Sequence, residues 1–217
     1  MDLPVGFGST HLVVGVPACG KLTTVRWGIN LASQQYPMNM ALDYASIEGK
    51  GVDEARETIA EYAMKNAKLL WFVDSDVLPP NYAVQKLLHA MKDRPDVAAC
   101  AGIYYSKQAV PTPVVFEDNG SGAYTNWKFD EVFEVPGFIG TGCMLIKAEL
   151  LEKITRPWFK TLEFPDKVTD DAFFCRRIKA AGYKILGHGG VLCGHFDSRI
   201  GRTLWPRENN LREIQLS

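Results

Sequence analysis

Net charge is nearly absent from this 217-residue sequence, in which 24 Lys and Arg side chains stand against 25 Asp and Glu side chains. The formal charge of −1 excludes the sequence-independent attraction that draws strongly basic proteins to nucleic acid or to anionic membranes. Recognition of a polyanion would need a local basic patch. Nucleic acid is therefore not expected as a partner.

The sequence also lacks an apolar run that could cross a membrane. Its longest stretch without a charged residue, from Leu3 to Gly20, contains two prolines and several glycines, which a spanning helix disfavours. The N-terminus shows no basic segment followed by an apolar helix and a cleavage site. We therefore expect no membrane insertion and a cytoplasmic location.

Cysteine is scarce and irregularly spaced. The five cysteines form no Cys-x-x-Cys pair; they are Cys19, Cys100, Cys143, Cys175 and Cys193. An odd, scattered set favours reduced, buried thiols over a disulfide framework. In that setting the sequon Asn119-Gly120-Ser121 predicts a turn and not a glycan acceptor.

Glycine and proline occur at ordinary levels, 19 and 12 residues, which excludes collagen-like and low-complexity classes. With 47% hydrophobic residues the chain can fill the core of one α/β domain. It contains no internal repeat and no linker long enough to divide it. A single domain over residues 1–217 is predicted.

The first half alternates apolar runs with amphipathic stretches. In the clearest of these, Ala55, Ile59 and Ala63 recur at the helical period while charged residues take the other face. The alternation predicts a parallel sheet built from βαβ units. The predicted strands are His11–Val16, Met38–Asp43, Leu69–Val73 and Val97–Ala101, and the predicted helices are Thr23–Gln35, Val52–Ala67 and Asn81–Lys92, the last capped by Asn81.

The second half has shorter elements. Extended runs at Pro113–Phe116, Ala123–Phe129 and Glu131–Val135, with the Asn119-Gly120 turn, predict a hairpin or small mixed sheet. An apolar strand ends at Ile146, and helices are predicted over Ala148–Ile154 and Asp170–Ala181. Two strands, Tyr183–Leu186 and Val191–Cys193, precede a polar tail from Asp197.

The most informative segment is an apolar strand that leads directly into Asp74-Ser75-Asp76. A buried strand would place these carboxylates at its C-terminal end, the edge where open α/β sheets bind ligands. Two carboxylates so close repel each other unless they share a cation. A simple Asp-Ser-Asp turn is the usual explanation of such a bare pattern, but the apolar strand in front favours a ligand site.

A second acidic site, Thr169-Asp170-Asp171, opens a predicted helix. An N-cap and the helix dipole explain one aspartate fully and two less well. A carboxylate at a helix N-terminus stays ionised near neutral pH, the state that a general base needs. Asp171 and Asp170 are therefore candidate catalytic residues.

His195 follows a short apolar strand and a glycine. Alone, such a histidine is more often structural, but an imidazole added to carboxylates and phosphate oxygens suits Mn²⁺ or Mg²⁺, with a preference for Mn²⁺. The spacing of His188, Cys193 and His195 has no matching second pair, so a closed zinc site is not predicted.

A competing interpretation rests on Gly15 to Lys21, which fits the pattern Gly-x4-Gly-Lys after a strand. P-loop NTPases have this pattern, together with a later strand that ends in Asp. However, Leu22 stands where a Ser or Thr hydroxyl would hold Mg²⁺, and Thr23 comes one residue late. A P-loop-like phosphotransferase or NTPase is kept as the alternative function.

The motifs together resemble the GT-A fold glycosyltransferases, particularly small family-2-like members of microbes and viruses. The resemblance extends from about residue 11 to 196 and rests on the joint order of short motifs. They are Val16-Pro17, Asp53-Glu54-Ala55-Arg56, Trp71 to Asp76, Gly140-Thr141-Gly142 before an apolar strand, Thr169-Asp170-Asp171, and Cys193-Gly194-His195. The family commonly has Glu-Asp where this chain has Asp170-Asp171, so Asp171 aligns with the usual catalytic base.

The resemblance implies an α/β fold, a mixed Rossmann-like sheet flanked by helices, with a nucleotide-binding half (about 11–101), an acceptor half (about 102–196) and a C-terminal tail (197–217). It implies a metal-dependent transfer of a sugar from a nucleotide-sugar donor to an acceptor hydroxyl, with inversion. The donor implied is a UDP-sugar in preference to a GDP-sugar. The implied residues are Asp74, Asp76 and His195 for the metal, Pro17, Ala18, Asp43, Arg56, Asp74, Ser75, Asp76, Arg199 and Arg202 for the donor, and Gly140, Thr141 and Gly142 for the substrate.

Some of these features also fit other interpretations. Arg56 could be a solvated helix residue paired with nearby acids, and the segment with Arg199 and Arg202 could be a frayed basic terminus. A non-catalytic nucleotide-sugar-binding module would share the fold without turnover.

Overall fold

A computed structural model describes residues 10–18, 20, 23–117, 122–163, 166–207 and 210–216. The first half contains β1 (Thr10–Ala18), α1 (Val25–Ala32), β2 (Met40–Glu48), α2 (Val52–Asn66), β3 (Leu69–Val73), β4 (Val77–Leu78), α3 (Ala83–Met91) and β5 (Val97–Ile103). The second half contains β6 (Val115–Phe116), β7 (Val132–Glu134), β8 (Phe138–Ile139), β9 (Cys143–Lys147), a 3-10 helix (Ala148–Lys153), α4 (Asp170–Ala180), β10 (Lys184–Leu192), β11 (Gly194–Asp197), β12 (Arg202–Arg207) and β13 (Asn210–Leu216).

The central sheet has seven strands in the order β2-β1-β3-β9-β5-β10-β7. β1 runs parallel to both β2 and β3, and β10 runs parallel to β5. β9 is antiparallel to its two neighbours, β3 and β5. The predicted class, a mixed α/β sheet flanked by helices, is confirmed.

β3 is buried along its whole length because helices cover both faces of the sheet. Leu70 and Phe72 belong to the core shared with α2 and α4, whereas Trp71 and Val73 belong to the core shared with α1 and α3. Burial on both faces explains why the strand is apolar at every position instead of alternating. The rigid strand fixes the position of the Asp74-Ser75-Asp76 turn that follows it.

A smaller antiparallel sheet, β13-β12-β11-β4, lies beyond that turn. β4 begins directly after Asp76 and pairs with β11, so that Val77 stands opposite His195. The Phe196 amide donates to the Asp76 carbonyl at 2.7 Å. This pairing brings together two residues that are distant in sequence.

The expectation of a polar tail from Asp197 is wrong. β12 pairs with β11 and with β13, so residues 202–207 and 210–216 belong to the small sheet. The apolar residues of this segment provide the packing: Leu204 is buried, and Arg26 lies 5.7 Å over the Trp205 ring. A frayed C-terminus is therefore excluded over residues 202–207.

Two local predictions are also corrected. Residues 123–129 form no regular strand, and β6 pairs with β8. A short antiparallel contact is nevertheless present, because Ala123 bridges to Phe116 and the Tyr124 amide donates to the Val115 carbonyl at 2.8 Å. Asn81 does not cap α3, because the helix begins at Ala83 and the Asn81 carbonyl accepts a hydrogen bond from the Gln35 amide at 2.7 Å. The predicted Asn119-Gly120-Ser121 turn lies outside the described residues.

The P-loop interpretation is wrong as well. Gly15 to Ala18 continue β1 instead of forming a phosphate-binding loop. A Cβ at Gly15 would lie 2.7 Å from Ile59 Cγ2, so this glycine permits close packing of β1 on α2. Lys21 and Leu22 lie outside the described residues.

Cys100, Cys143, Cys175 and Cys193 are buried and form no disulfide, whereas Cys19 lies outside the described residues. Burial raises the pKa of Cys175 to about 12, which is typical of an inert structural thiol. In the described part of the chain, no helix combines the length and apolarity needed to cross a bilayer.

Candidate active site

Two adjoining cavities lie beyond the C-terminal ends of β1 and β3. The first, the apolar cavity, has a volume of about 290 Å³, and its lining includes Val16, Ala18, Trp27, Leu31 and Tyr44. The second, the polar cavity, has about 340 Å³ and is lined by Thr24, Asp76, Lys107, Phe196 and Ser198. Both cavities share Thr23 and Ser75. The arrangement offers one apolar and one polar compartment to a single ligand.

α1 is fixed to the Asp74-Ser75-Asp76 turn by two hydrogen bonds. The Trp27 indole N–H donates to the Asp74 carbonyl at 2.9 Å, and the Thr23 hydroxyl donates to the Ser75 carbonyl at 2.6 Å. The helix begins here because the Thr24 hydroxyl accepts from the Trp27 amide at 3.1 Å, which satisfies an otherwise unpaired N–H. The turn is therefore held in a defined conformation at the junction of the cavities.

Asp76 lines the polar cavity, and His195 lies next to its carboxylate. His195 Nδ1 lies 2.6 Å from the Tyr105 carbonyl, which can only accept, so this nitrogen carries the proton. The other ring nitrogen, Nε2, lies 3.7 Å from Asp76 Oδ2. Burial disfavours the charged form of Asp76, but contacts with His195 and Lys107 lower the pKa of Asp76 to about 2.

This pair fits a divalent cation. Two ligand atoms that each lie about 2.1 Å from one ion can be up to about 4.2 Å apart, so the 3.7 Å separation suits a shared ion. Metal-binding histidines usually donate the other ring N–H to a carbonyl or carboxylate, as His195 does here. Among the described residues no three His, Cys, Asp or Glu side chains form a ready-made site, so water and phosphate oxygens would complete the coordination.

Arg56 joins the two acidic sites from within α2. Its Nη2 donates to both carboxylate oxygens of Asp74, at 2.6 and 2.8 Å, and its Nη1 donates to Asp170 Oδ2. The Arg56 side chain is 5% exposed, so its interpretation as a solvated residue is wrong. Burial raises the pKa of Asp74, and Arg56 opposes that shift. Arg56 therefore engages both carboxylate oxygens of Asp74, which the resemblance implies as a metal ligand.

Asp171 follows in α4 and remains partly exposed. Its Oδ1 accepts from the Ala172 amide at 2.8 Å and from the Thr169 hydroxyl. Partial burial raises the pKa of Asp171, and the neighbouring Asp170 acts in the same direction, while the Thr169 hydrogen bond opposes the shift. The Arg56 bridge to Asp170 places this helix N-terminus next to Asp74.

Gly140, Thr141 and Gly142 pack against Asp74 and Tyr104. The Asp74 amide donates to the Gly142 carbonyl at 3.0 Å, and the Gly142 amide donates to the Tyr104 hydroxyl at 3.1 Å. A Cβ at Gly140 would lie 2.1 Å from that hydroxyl, so no larger residue fits. The segment is buried and supports Asp74 from behind the cleft.

The other predicted residues are distributed unevenly. Pro17 and Ala18 end β1, and Ala18 lines the apolar cavity. The Asp43 carboxylate accepts from Tyr62 Oη at 2.9 Å and lines neither cavity. Arg199 is held by Asp197, and Arg202 is an exposed residue of β12 opposite Asp197. The structure therefore does not bring Asp43, Arg199 or Arg202 into either cavity.

Sequence reasoning missed Lys107, Tyr44, Trp27 and Ser198. Lys107 lies in an irregular loop between β5 and β6 with no motif around it. Trp27 occupies the apolar face of α1, where a pattern indicates only core packing. Its indole N–H on the Asp74 carbonyl arises from the tertiary fold.

The mixed sheet flanked by helices, with the Asp-Ser-Asp turn at its edge, is the fold of the GT-A glycosyltransferases. The family model described as "Glycosyltransferase like family 2" matches residues 3–214, and the chain belongs to this family. No curated protein sequence gives a significant match.

Solved structures agree in fold. The crystal structure of A197 from STIV has a TM-score of 0.67 at 22% identity and covers 96% of this chain and 94% of its own. The structure of GalNAc-T7 with UDP, GalNAc and Mn²⁺ has a TM-score of 0.60 at 12% identity, and the match covers 87% of this chain and 44% of GalNAc-T7. The mannosyltransferase PcManGT from Pyrobaculum calidifontis, in complex with GDP-Man and Mn²⁺, has a TM-score of 0.53 at 16% identity. The match covers 88% of this chain and 58% of PcManGT.

Proposed function

We propose that this chain transfers a sugar from a nucleotide-sugar donor to an acceptor hydroxyl, with inversion, in a reaction that depends on Mn²⁺ or Mg²⁺. The donor is UDP-linked in preference to GDP-linked. The observation that carries the proposal is the junction at Ser75, where an apolar cavity meets a polar cavity lined by Asp76, with His195 Nε2 3.7 Å from the Asp76 carboxylate. A nucleoside diphosphate has the same division into an apolar base and a charged tail.

The apolar cavity suits the base and ribose. Its volume of about 290 Å³ is just below the range of about 300–1,000 Å³ for ligand pockets, which favours a single-ring base. Tyr44 and Trp27 border it, and aromatic faces stack well on bases. GalNAc-T7 binds UDP with Mn²⁺, and PcManGT binds GDP-Man with Mn²⁺, which supports a nucleotide-sugar donor here.

Asp76 and His195 would hold the cation at the polar cavity. When bound, such a cation offsets the negative charge that develops on a departing diphosphate. Asp74 has a positioning role, because Arg56 takes both of its carboxylate oxygens while its backbone carbonyl holds Trp27. Thr23 and Ser75, which border both cavities, would lie beside the junction of ribose and diphosphate.

Asp171 acts as the general base. Asp170, the residue before it, pairs with Arg56. The acceptor oxygen forms a bond to the anomeric carbon while its proton passes to Asp171. The bond from that carbon to the diphosphate oxygen breaks, and its electron pair leaves with the nucleoside diphosphate. One in-line displacement of this kind inverts the anomeric configuration. The hydrogen bonds from Ala172 and Thr169 to Oδ1 orient the carboxylate for that proton.

The first prediction concerns ligand class. UDP in the presence of Mn²⁺ should raise the melting temperature by about 5–10 °C at a hundredfold excess over Kd, because binding to the folded state then contributes about 2.7 kcal/mol. UDP without metal, and uridine with metal, should give a much smaller rise. Thermal-shift titrations with UDP, GDP, TDP, ADP and ATP measure this directly.

A preference for ATP over every other nucleotide would contradict the proposed donor class. Stabilisation by UDP and Mn²⁺ without hydrolysis or transfer from any UDP-sugar would indicate a binding module instead. Product released with retained configuration, measured by NMR, would contradict the inverting mechanism.

The second prediction concerns the metal ligands. Asp76→Ala should weaken Mn²⁺-dependent UDP binding by about a hundredfold or more, whereas His195→Ala should cost roughly tenfold, because water can replace the imidazole. Calorimetric titration of UDP at fixed Mn²⁺ provides both values.

His89→Ala is the matched control, since His89 is an exposed histidine of α3 outside both cavities, and it should leave binding unchanged. If His195→Ala alters neither metal dependence nor turnover, His195 is a structural residue only.

A further inference from the structure

Lys107 contacts the same carboxylate oxygen that the metal would use. Its Nζ donates to Asp76 Oδ2, and His195 Nε2 lies 3.7 Å from that oxygen. Among the described residues that line the polar cavity, Lys107 is the one cation. The ammonium group therefore already serves as the counter-ion of Asp76 at this point.

The backbone around Lys107 is fastened to the small sheet on both sides. The Tyr105 carbonyl accepts from His195 Nδ1 at 2.6 Å, and the Lys107 carbonyl accepts from Arg199 Nη2. Arg199 is itself held by Asp197, with Nε at 2.9 Å and Nη2 at 2.7 Å from the two carboxylate oxygens. The main chain at Lys107 is therefore held in place, whereas its four-carbon side chain can adopt other rotamers.

A divalent ion on Asp76 Oδ2 and an ammonium on the same oxygen repel each other strongly at such short range. The ammonium must therefore leave when the ion binds. The residues that line the polar cavity offer it the hydroxyl groups of Thr23, Thr24 and Ser198. The carboxylate of Asp197, which lines a neighbouring cavity together with Lys107, is already paired with Arg199. A diphosphate arriving in this cavity would supply the missing anion.

We propose that Lys107 and the divalent cation exchange on Asp76, and that the displaced ammonium then pairs with the diphosphate of the donor. This inference rests on the proposed function for its second half, while the exchange itself requires only Mn²⁺. Lys107 thereby lowers the affinity for metal alone and raises the affinity for the metal with the nucleotide, so that the two bind together.

The test compares wild type, Lys107→Met and Lys107→Arg by electron paramagnetic resonance titration of Mn²⁺ and by calorimetric titration of UDP at saturating Mn²⁺. Lys107→Met should bind Mn²⁺ alone about tenfold more tightly, because its competitor is gone. The same variant should bind UDP about tenfold more weakly, because a charge-assisted contact is lost. Lys107→Arg keeps the charge and should stay within about threefold of wild type in both measurements.

Lys86→Met is the matched control, since Lys86 also pairs with a carboxylate, Asp130 at 2.6 Å, on an exposed surface outside both cavities. It should alter neither constant. Equal Mn²⁺ affinity in wild type and Lys107→Met would overturn the exchange, and tighter Mn²⁺ binding with unchanged UDP affinity would overturn the diphosphate contact.

A wild-type protein that binds neither Mn²⁺ nor UDP would overturn the proposed function and this inference together. That result differs from failure of the inference alone, in which wild type binds both ligands and Lys107→Met matches it. The Lys107 variants should fold, because the Lys107–Asp76 pair is partly exposed, with side chains 24% and 39% exposed, and losing such a pair costs about 1 kcal/mol or less.

Discussion

Asp171→Asn is expected to lower turnover by about 10²–10⁴-fold while leaving UDP affinity nearly unchanged, because a general base acts in the transition state and not in donor binding. The fold should survive the change. An asparagine side-chain oxygen can still accept from the Ala172 amide and the Thr169 hydroxyl, the two donors that Asp171 Oδ1 receives. Initial rates with donor and acceptor, beside calorimetric UDP titration, measure the two quantities.

Asp166→Asn is a suitable control, since Asp166 is an exposed carboxylate shortly before α4, and it should retain full turnover. Asp170→Asn is expected to lower the melting temperature, because Asp170 is a buried partner of Arg56. If Asp170→Asn loses turnover without losing stability while Asp171→Asn stays active, the base is Asp170. Small, equal effects from both changes would remove the general-base assignment.

The pH dependence of turnover provides a second test of Asp171 as the general base. A base must be deprotonated, so turnover should fall as the pH decreases through the pKa of Asp171. Because burial raises that pKa, the loss should begin at a higher pH than for an ordinary aspartate. In Asp171→Asn the remaining activity should no longer show this acidic limb.

The sequence predicts those parts of the site that local patterns encode. The run from Leu69 to Val73 is apolar at every position because both of its faces are buried, and it leads directly into Asp74-Ser75-Asp76. The helical period of α2 is equally local. Such patterns indicate the sheet, its edge and one acidic turn without knowledge of distant residues.

The remainder depends on contacts between distant residues. The pairing of β11 with β4 places His195 beside Asp76, and no local pattern in either segment encodes that register. Arg56 falls on the charged side of the helical pattern of α2, yet it is buried, because Asp74 and Asp170 meet it from two other elements. β12 was missed for a related reason: its charged residues suggested solvent, whereas Leu204 packs into the fold.

Arg56→Met is expected to lower the free energy of unfolding by about 3–5 kcal/mol, the cost of removing one partner from a buried ion pair. Asp74 and Asp170 would be left close together without the guanidinium that neutralises them. For a chain of this length that loss corresponds to roughly 6–20 °C in melting temperature. The free energy of unfolding of Arg56→Lys should lie between those of wild type and Arg56→Met, because one ammonium cannot reproduce separate contacts from Nη1 and Nη2. Urea unfolding at pH 7 measures the differences.

Arg156→Met is the matched control for this loss. Arg156 also contacts two carboxylates, Glu57 and Glu61, but its side chain is 48% exposed, and exposed pairs contribute about 0–1 kcal/mol. A loss in Arg56→Met no larger than in Arg156→Met would contradict a structural role for the buried bridge. The comparison separates burial from the mere number of ion pairs, because both arginines bridge two acids.

Acid should partly rescue Arg56→Met. Burial already raises the pKa of Asp74 and Arg56 opposes that shift, so without the guanidinium the pKa of Asp74 rises further above that of the unfolded chain and the folded state binds more protons at intermediate pH. The unfolding free energy of Arg56→Met then increases as the pH falls through that raised pKa. The gap between wild type and Arg56→Met should therefore be smaller at pH 5 than at pH 7. A gap that stays constant between these two pH values would mean that the two carboxylates do not carry the cost, and that the lost packing of the arginine side chain does.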